Sequence, residues 1–269
     1  MLQASKVKQK LRGGQPVIRG FLRFPDPGTA EIMALAGVEL IILDQEHYPF
    51  NSQEIEKVVR AAQIYGAECM VRVPNSEPAR VAQVMESGAI GVVVPHVESR
   101  AQAMEVVNAV KYAPVGTRGF CPITRAAAYG MRLSPEEYAQ FANEQTCIIL
   151  MAETRRGLEA LDEILTIPQV DGISIGPSDV SASYGYPGHP EHPEVRAAIE
   201  EGQKKVAASG KALCVQAYDG AAARRGCALG ARIFTVGSDV QVLTQGFQAL
   251  VQSMRQAERE FEEKGAGQP

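Results

Sequence analysis

The sequence is poor in the side chains that build disulfide-bonded or zinc-dependent folds. It has five cysteines and four histidines among 269 residues, and the cysteines are widely spaced. The odd count and the spacing argue against both a disulfide framework and a zinc site. Three of the cysteines lie in apolar runs, where the thiol behaves as a small core group. This cysteine usage predicts a protein of the reducing cytoplasm.

The sequence also lacks a basic excess and a long apolar run. Its net charge is -4, so neither nucleic acid nor anionic lipid is expected as a main partner. No stretch approaches the roughly 20 apolar residues that span a bilayer. The cations near the N-terminus precede no apolar segment of the kind that a secretory signal requires. We therefore expect no membrane association.

Hydrophobic residues make up 45% of the chain, and many of them fall in short runs. Runs that are continuous rather than alternating are typical of parallel strands covered by helices. Eight such runs are predicted strands, at residues 17–23, 40–43, 69–73, 91–95, 147–151, 172–175, 213–216 and 233–236.

Amphipathic segments separate these strands, as at residues 52–65, where the apolar positions share one helical face, and at residues 100–110, which show a similar pattern. The alternation predicts a parallel sheet with right-handed crossovers. Eight units in a chain of this length favour a (β/α)₈ TIM barrel, an α/β fold, as a single domain over residues 1–269. The alternative is an open doubly wound sheet, but no GxGxxG motif and no P-loop occurs to support nucleotide binding.

Two segments depart from this regular alternation. Residues 113–146 form a long connection between the fourth and fifth strands, which we interpret as a βα insertion that is either functional or a structured surface loop. Residues 240–263 are predicted to form one long helix, and the tail 264–269 is predicted to be disordered.

Chemically active side chains follow nearly every predicted strand, as catalytic groups do in a barrel. Glu153 and Asp179 follow successive strands, and two carboxylates with water suit Mg²⁺ or Mn²⁺. Alternatively, each is only an acid at a helix N-terminus. His47 is a candidate general base, with Asp44 three residues earlier as a candidate partner of its ring, or it is a structural histidine.

Two further features suggest recognition of an anion. Arg72 ends a strand that is otherwise apolar, so it either pairs with an acid of the protein or binds a carboxylate or oxyanion of the substrate. The sequence Gly176-Pro177-Ser178 precedes a helical segment and can present backbone N–H groups to a carboxylate.

At this point the sequence resembles the HpcH/HpaI aldolase family, the class II pyruvate aldolases of 4-hydroxy-2-oxo acids. The resemblance runs in order over nearly the whole chain. It rests on LDQEHYPF, VRVP, GAIGVVVPHVES, APVGTRG, AETRRGLEALDEI, DGISIGPSDVSASYGYPGHPEHPEV and GSDVQVL. It implies a barrel whose C-terminal helix is swapped between subunits, in a hexamer built as a trimer of dimers.

By matching positions, the resemblance implies roles for individual residues. Glu153 and Asp179 would hold Mg²⁺, Mn²⁺ or Co²⁺, and His47 with Asp44 would act as the base. Arg72 would bind the keto or enolate oxygen. Gly176, Pro177 and Ser178 would form the carboxylate site, and Arg125, which matches an arginine of the long loop, would also bind substrate. Met151 stands where the family usually has a glutamine that contacts the keto oxygen, so this chain loses a polar contact there.

The resulting hypothesis is a lyase that reversibly cleaves a 4-hydroxy-2-oxo acid to pyruvate and an aldehyde through the enolate of pyruvate. No predicted strand contains a lysine for Schiff-base chemistry, which favours the metal route. The first alternative is a metal-dependent 2-oxo acid decarboxylase or related carbon–carbon lyase. The second is a barrel that binds metal or ligand without catalysis.

Overall fold

The eight predicted strands are present and close into a barrel in the computed structural model, which describes residues 2–265. Each strand pairs in parallel with the next, and β1 also pairs with β8. This closure confirms the (β/α)₈ fold over the open sheet. The strands are β1 (Val17–Leu22), β2 (Leu40–Asp44), β3 (Glu68–Arg72), β4 (Gly91–Val94), β5 (Cys147–Met151), β6 (Gly172–Ser174), β7 (Ala212–Gln216) and β8 (Ile233–Ser238).

Helices surround the barrel, and most begin at a side chain that caps the first turn. Asn51 and Glu54 form a capping box at the start of α3, and Ser99 caps α5. The helices are α1 (Lys6–Arg12), α2 (Pro27–Leu35), α3 (Ser52–Ile64), α4 (Pro78–Glu86), α5 (Arg100–Val110), α6 (Pro135–Gln145), α7 (Arg155–Glu159), α8 (Leu161–Ile164), α9 (Pro177–Ser183), α10 (Pro193–Ala208), α11 (Gly220–Ala228) and α12 (Asp239–Gly265). A short 3₁₀ turn lies at Ala128–Gly130.

The core has two layers because the strands are apolar on both faces. The outer layer packs strand residues such as Ile41 and Leu43 against the surrounding helices. The inner layer fills the barrel with residues such as Leu40, Ile42 and Ile149. This double burial explains why the strands are continuous apolar runs and why they were predictable.

The short helix α1 closes the amino-terminal end of the barrel. Its residues Val7 and Leu11 belong to the inner core layer. The carboxylate of Glu68, at the start of β3, accepts hydrogen bonds from the hydroxyl of Ser5 and from the backbone N–H groups of Lys6 and Val7. An acid at this position satisfies the free N–H groups of the first helical turn. The open end of the barrel is therefore the carboxyl end.

The long segment 113–146 is not a βα insertion, and this expectation requires correction. It lies between α5 and β5 and contains α6. A crossover helix carries the chain back toward the amino-terminal end of the sheet, so a segment that follows α5 lies at the end opposite the carboxyl ends of the strands. Tyr112 and Tyr138 anchor it in a small core of its own.

The last helix, α12, projects an apolar face away from the rest of the chain. Val242, Phe247, Leu250 and Met254 are all more than 60% exposed. The helix extends to Gly265, and the remaining part of the tail that was predicted to be disordered, 266–269, lies outside the described residues. None of the helices between residues 2 and 265 is long and apolar enough to cross a membrane. All five cysteines are free thiols.

Candidate active site

A cavity of about 300 Å³ lies at the carboxyl end of the barrel. It contains most of the residues that the sequence placed at the strand ends, because parallel strands deliver these residues to one rim. The side chains and backbone that line it include Arg19, Phe21, Arg23, His47, Arg72, Met151, Ser174, Gly176, Pro177, Ser178, Asp179, Cys214, Gln216, Tyr218, Thr235 and Gln241.

Arg72 is held in a fixed position by two acids. Its Nε and Nη2 donate to the two carboxylate oxygens of Asp44 at 3.0 and 2.7 Å. Its Nη1 lies 3.1 Å from Oε2 of Glu46. This arrangement compensates the charge of a guanidinium that is only 7% exposed. Arg72 thus pairs with acids of the protein and also lines the cavity, so the two alternatives drawn from the sequence are not exclusive.

Asp44 has a different partner from the one expected. Its carboxylate binds Arg72, and it contacts His47 only through the backbone N–H of that residue, at 3.4 Å. The imidazole Nε2 of His47 lies instead 3.6 Å from Oε2 of Glu46. The predicted contact between Asp44 and the ring of His47 is therefore corrected: β2 ends with Asp44 buried inside the barrel, whereas His47 stands in the exposed loop that follows.

Glu153 is an almost fully buried acid of the site, with 1% exposure. Its Oε1 accepts the backbone N–H of His96 at 3.0 Å, and its Oε2 has no hydrogen-bond partner among residues 2–265. Burial, helped by the nearby charges of Asp179 and Glu46, raises the pKa of this carboxyl from 4.5 to about 7, although the hydrogen bond from His96 opposes the shift. The carboxylate of Glu153 is therefore stabilised when it binds a proton or a cation.

Asp179 approaches Glu153 across Gly176. A Cβ built on Gly176 would lie 2.6 Å from Oε2 of Glu153 and 3.5 Å from Oδ2 of Asp179. Glycine at this position therefore leaves open the space that both carboxylates face. Both carboxylates thus lie beside Gly176, and the space suits a small cation that has oxygen ligands.

Two residues that the sequence analysis did not select, Glu46 and His96, lie beside the same carboxylate. Their ligand atoms and those of Glu153 all lie within 4.8 Å of one another. The ring of His96 is 3.5 Å from Glu46 and 3.6 Å from Glu153. Burial raises the pKa of Glu46, although Arg72 opposes the shift. These residues form a second candidate set of metal ligands that shares Glu153 with the first.

The feature that marks His96 as a site residue is its backbone conformation, which the sequence does not display. This residue adopts a φ of 52°, in the left-handed region that residues other than glycine rarely occupy. The conformation directs its N–H to Glu153, and strain of this kind gathers at functional sites. The sequence placed His96 after the fourth strand but held no sign of this conformation. Glu46 is adjacent to His47 in the same motif, but the sequence pattern gave roles only to its neighbours Asp44 and His47.

Met151 ends β5 and forms an apolar part of the cavity wall, with 6% of its surface exposed. It lies in register with Ser174 of the neighbouring strand β6. The thioether is at best a weak hydrogen-bond acceptor, so this part of the wall offers a substrate no donor. The departure noted in the sequence therefore falls inside the cavity.

Arg125 does not reach the cavity, and its expected role in substrate binding is corrected. It is 6% exposed, and it donates to the carbonyl oxygen of Ser87 at 2.6 Å and to Oε1 of Gln63 at 2.7 Å. Ser87 and Gln63 lie at the carboxyl ends of α4 and α3, on the side of the barrel opposite the cavity. Arg125 therefore joins the long segment 113–146 to the helical layer.

Comparison with known proteins agrees with this geometry. The family model described as HpcH/HpaI aldolase/citrate lyase matches residues 20–246. The chain is 36% identical over 250 residues to the hydroxypyruvate/pyruvate aldolase of Pseudomonas aeruginosa, covering 93% of this chain and 92% of that protein. It is 35% identical over 243 residues to the 4-hydroxy-2-oxo-heptane-1,7-dioate aldolase of Escherichia coli, covering 90% and 92%.

A solved structure is also similar over most of the chain. It is an HpcH/HpaI aldolase/citrate lyase family protein from Burkholderia cenocepacia J2315, with a TM-score of 0.87 and 33% identity, covering 93% of this chain and 99% of that one. The closed barrel, the strand-end residues and these similarities agree with one another. The chain belongs to the HpcH/HpaI aldolase/citrate lyase family and is an enzyme of the aldolase type, a carbon–carbon lyase.

Proposed function

We propose that this chain is a divalent-metal-dependent aldolase that reversibly cleaves a 4-hydroxy-2-oxo acid to pyruvate and an aldehyde. The observation that carries the proposal is the buried carboxylate of Glu153, whose Oε2 lacks a hydrogen-bond partner within the described residues and lies, like the carboxylate of Asp179, beside Gly176 of the cavity wall. A buried carboxylate is costly unless a proton or a cation compensates it. The names of the two relatives, a hydroxypyruvate/pyruvate aldolase and a 4-hydroxy-2-oxo-heptane-1,7-dioate aldolase, support the same chemistry.

Glu153 and Asp179 are the proposed metal ligands. Their oxygen donors suit Mg²⁺ and Mn²⁺, and Co²⁺ is acceptable at such a site. Glu46 and His96 are the second candidate set around the same Glu153. A bound divalent ion would act as a Lewis acid that stabilises negative charge on the 2-oxo oxygen of the substrate.

Arg72 is proposed to stabilise the enolate oxygen together with that ion. Asp44 and Glu46 hold the guanidinium group of Arg72 in place. The group therefore needs no reorganisation when negative charge develops on the enolate oxygen. Three of its five N–H groups face these acids, and the remaining N–H groups are free to donate to substrate. Asp44 is accordingly a positioning residue for Arg72.

His47 is proposed as the base, acting through an ordered water. In the cleavage direction the base takes the proton of the C4 hydroxyl group while the C3–C4 bond breaks. The electron pair of that bond becomes the enolate of pyruvate, and C4 leaves as the aldehyde. Protonation of C3 then gives pyruvate. The exposed ring of His47 at the cavity and its proximity to Glu46 support this assignment.

The carboxylate of the 2-oxo acid is proposed to bind where α9 begins. Gly176, Pro177 and Ser178 line the cavity next to Asp179, and the backbone N–H groups at the start of a helix attract anions. Met151 contributes an apolar wall in place of a polar contact. The substrate's 2-oxo acid end therefore lies between the α9 terminus, Glu153 and Arg72.

A second candidate is decarboxylation of a 2-oxo acid such as oxaloacetate, because loss of CO₂ yields the same enolate. The apolar Met151 in place of a polar contact is the observation that keeps this candidate open. Both activities are tested by measuring pyruvate release from 4-hydroxy-2-oxo acids and from oxaloacetate, with Mg²⁺, Mn²⁺ or Co²⁺ and with EDTA.

We expect metal-dependent pyruvate release that is lost in Glu153→Ala and in Asp179→Ala. Glu159→Ala, at an exposed helical position, is the matched control and should retain wild-type activity. The substrate that is turned over fastest will identify the aldolase or the decarboxylase branch. Tight metal binding without turnover of any substrate would instead indicate a barrel that binds ligands without catalysis.

We further propose that the active form is a homo-oligomer in which α12 packs on a neighbouring subunit, as a hexamer of three dimers. The large apolar side chains of α12 are exposed in the single chain, and exposed apolar surface of this extent marks an interface. The five free thiols are consistent with the cytoplasm as the expected compartment.

A further inference from the structure

A second arginine, Arg19, lies inside the barrel and takes no part in the mechanism above. It belongs to β1, is 3% exposed and lines the same cavity. Its Nε donates to Oγ1 of Thr235 at 2.7 Å, and its Nη2 donates to Oγ of Ser174 at 3.2 Å. Its Nη1 has no hydrogen-bond partner in the part of the chain that the structure describes.

The charge of Arg19 is not balanced by an acid. No salt bridge within 4.0 Å joins its guanidinium to a carboxylate of residues 2–262, and its side-chain hydrogen bonds go to two neutral hydroxyl groups. The neighbouring thiol of Cys214 supplies no charge, because burial raises its pKa. The ring of Phe21, 5.6 Å from the guanidinium carbon, gives only partial compensation.

Arg72 provides the contrast within the same cavity. Its guanidinium carbon lies 5.1 Å from the centroid of the same Phe21 ring, but the carboxylates of Asp44 and Glu46 neutralise its charge. A buried cation without a counter-charge is unfavourable in a folded protein, and residues of this type are usually paired. The unpaired state of Arg19 therefore points to an anion that arrives with the ligand.

A purely structural role does not account for Arg19. Bridging β6 and β8 needs only two hydrogen-bond donors, which a neutral side chain can supply without the cost of a buried charge. Three of the five N–H groups of the guanidinium are unused by Ser174 and Thr235. The planar fork matches a carboxylate, which it binds through two parallel hydrogen bonds.

We propose that Arg19, with Ser174 and Thr235, forms a subsite for a second carboxylate of the substrate, so that the preferred substrate is a dianionic 2-oxo acid. This inference rests on the proposed function, since the first carboxylate is the one bound at the start of α9. The second carboxylate belongs either to the half that becomes the enolate, as in oxaloacetate, or to the half that leaves as the aldehyde. Both sources present the same group to Arg19.

The test compares substrates that differ in this carboxylate. Oxaloacetate and 4-hydroxy-2-oxoheptanedioate carry it at the two alternative places, and 4-hydroxy-2-oxopentanoate lacks it. In Arg19→Gln we expect kcat/KM for one of the two dianions to fall about 30-fold or more, mainly through KM, while the monoanion changes less than about threefold. Arg19→Lys should restore part of the loss, and Arg156→Gln, an exposed arginine at the same end of the barrel, should leave all three unchanged.

A binding measurement separates this inference from the proposed function. In EDTA, succinate and malonate should raise the melting temperature of the wild-type protein more than acetate does, and Arg19→Gln should abolish the difference. If the dicarboxylates stabilise the wild type in this way but no substrate is turned over, the subsite is retained and the aldolase proposal is rejected. Turnover with equal losses for dianions and monoanion in Arg19→Gln would overturn the subsite and retain the aldolase. If Arg19→Gln does not fold, equal effects of succinate and acetate on the wild type overturn the subsite.

Discussion

The residue that determines most of the behaviour of the site is Glu153, because it is buried beside other acids. Its pKa of about 7 lies above the value of 4.5 that the group has in the unfolded chain. The folded protein therefore binds more protons than the unfolded chain between these two values. The contribution of Glu153 to the stability of the metal-free protein is accordingly full below pH 4.5 and is lost as pH rises through about 7. Above this pH the ionised carboxylate of Glu153 lowers the free energy of unfolding, and a bound cation would remove this cost.

The first prediction concerns Glu153→Gln in the presence of EDTA. At pH 8 the variant should be more stable than the wild type by on the order of 3 kcal/mol, since it carries no buried charge. At pH 5 most of the difference should disappear because the wild-type carboxyl is then protonated. Thermal melts at both pH values provide the measurement, with the exposed Glu159→Gln as control. A variant that is less stable than the wild type at pH 8 would contradict the assignment of an uncompensated charge.

The second prediction concerns His47. In His47→Asn, kcat should fall by about 10²–10⁴-fold, because a positioned general base contributes a factor of this size. Affinity for Mn²⁺ should stay within about twofold, since the imidazole is outside both candidate ligand sets. Steady-state kinetics and metal titration measure the two effects. His189→Asn, in an exposed loop, should match the wild type, and equal kcat values for both variants would remove His47 from the mechanism.

Sequence reasoning at this scale found the rim residues but not their pairings. His47, Arg72, Glu153 and Asp179 were recognisable because each follows a strand, and parallel strands end at one rim. That rule does not tell which side chains touch. Asp44 binds Arg72 rather than the ring of His47 because it points into the barrel from the last position of β2. Contacts of this kind depend on barrel tilt and register, which the sequence does not display.

Among the elements, the strands were predictable and the helices less so. Each strand is apolar on both faces, and the eight predicted runs match β1–β8 within two residues at each end. Helices α1 and α2 were missed, and α9 was expected only as a helical segment after Gly176-Pro177-Ser178, without bounds. α2 has no clear apolar stripe, with Ile32 and Leu35 exposed, and α1 and α9 have only seven residues each. Periodicity needs a longer segment to be visible.

The segment 113–146 was identified correctly as a long connection, but it was placed before a helix instead of after one. The helix at residues 100–110 was predicted before it, and a segment after a crossover helix returns to the amino-terminal end of the barrel. The information needed was therefore in the sequence. The consequence is that Arg125 stabilises the fold and stands away from the cavity.

The third prediction follows from that placement. Arg125→Met should lower the free energy of unfolding by about 1–3 kcal/mol, because the carbonyl oxygen of Ser87 and the side chain of Gln63 lose their buried donors. The kcat/KM of the folded variant should stay within about twofold of the wild-type value. Chemical denaturation and steady-state kinetics measure these effects. Arg132→Met, an exposed position of the same segment, is the control, and a selective loss of activity in Arg125→Met would return this residue to the site.

At the scale of the whole molecule, α12 is the element that a single chain leaves without a partner. Its residues Phe247 and Leu250 are each 65% exposed, as is Met254 on the same helix. We expect the wild-type protein to be oligomeric, because burying these apolar side chains between subunits makes the free energy of association favourable.

The fourth prediction tests this with Leu250→Asp, which places a charge in the proposed interface. Light scattering coupled to gel filtration should show a smaller particle than the wild type. Gln252→Asp adds the same charge at a polar position of α12 and should leave the particle size unchanged. A wild-type protein that is already monomeric would contradict the proposed exchange of α12 between subunits.

The central claim is that this barrel forms the enolate of pyruvate with the help of a divalent cation held by Glu153 and Asp179. The most direct test needs no knowledge of the aldehyde: exchange of the C3 protons of pyruvate with D₂O, followed by proton NMR in the presence of Mg²⁺. The account predicts exchange that stops with EDTA and in Glu153→Gln but persists in Glu159→Gln. Exchange that is absent in the wild type, or that continues unchanged in EDTA, would contradict it.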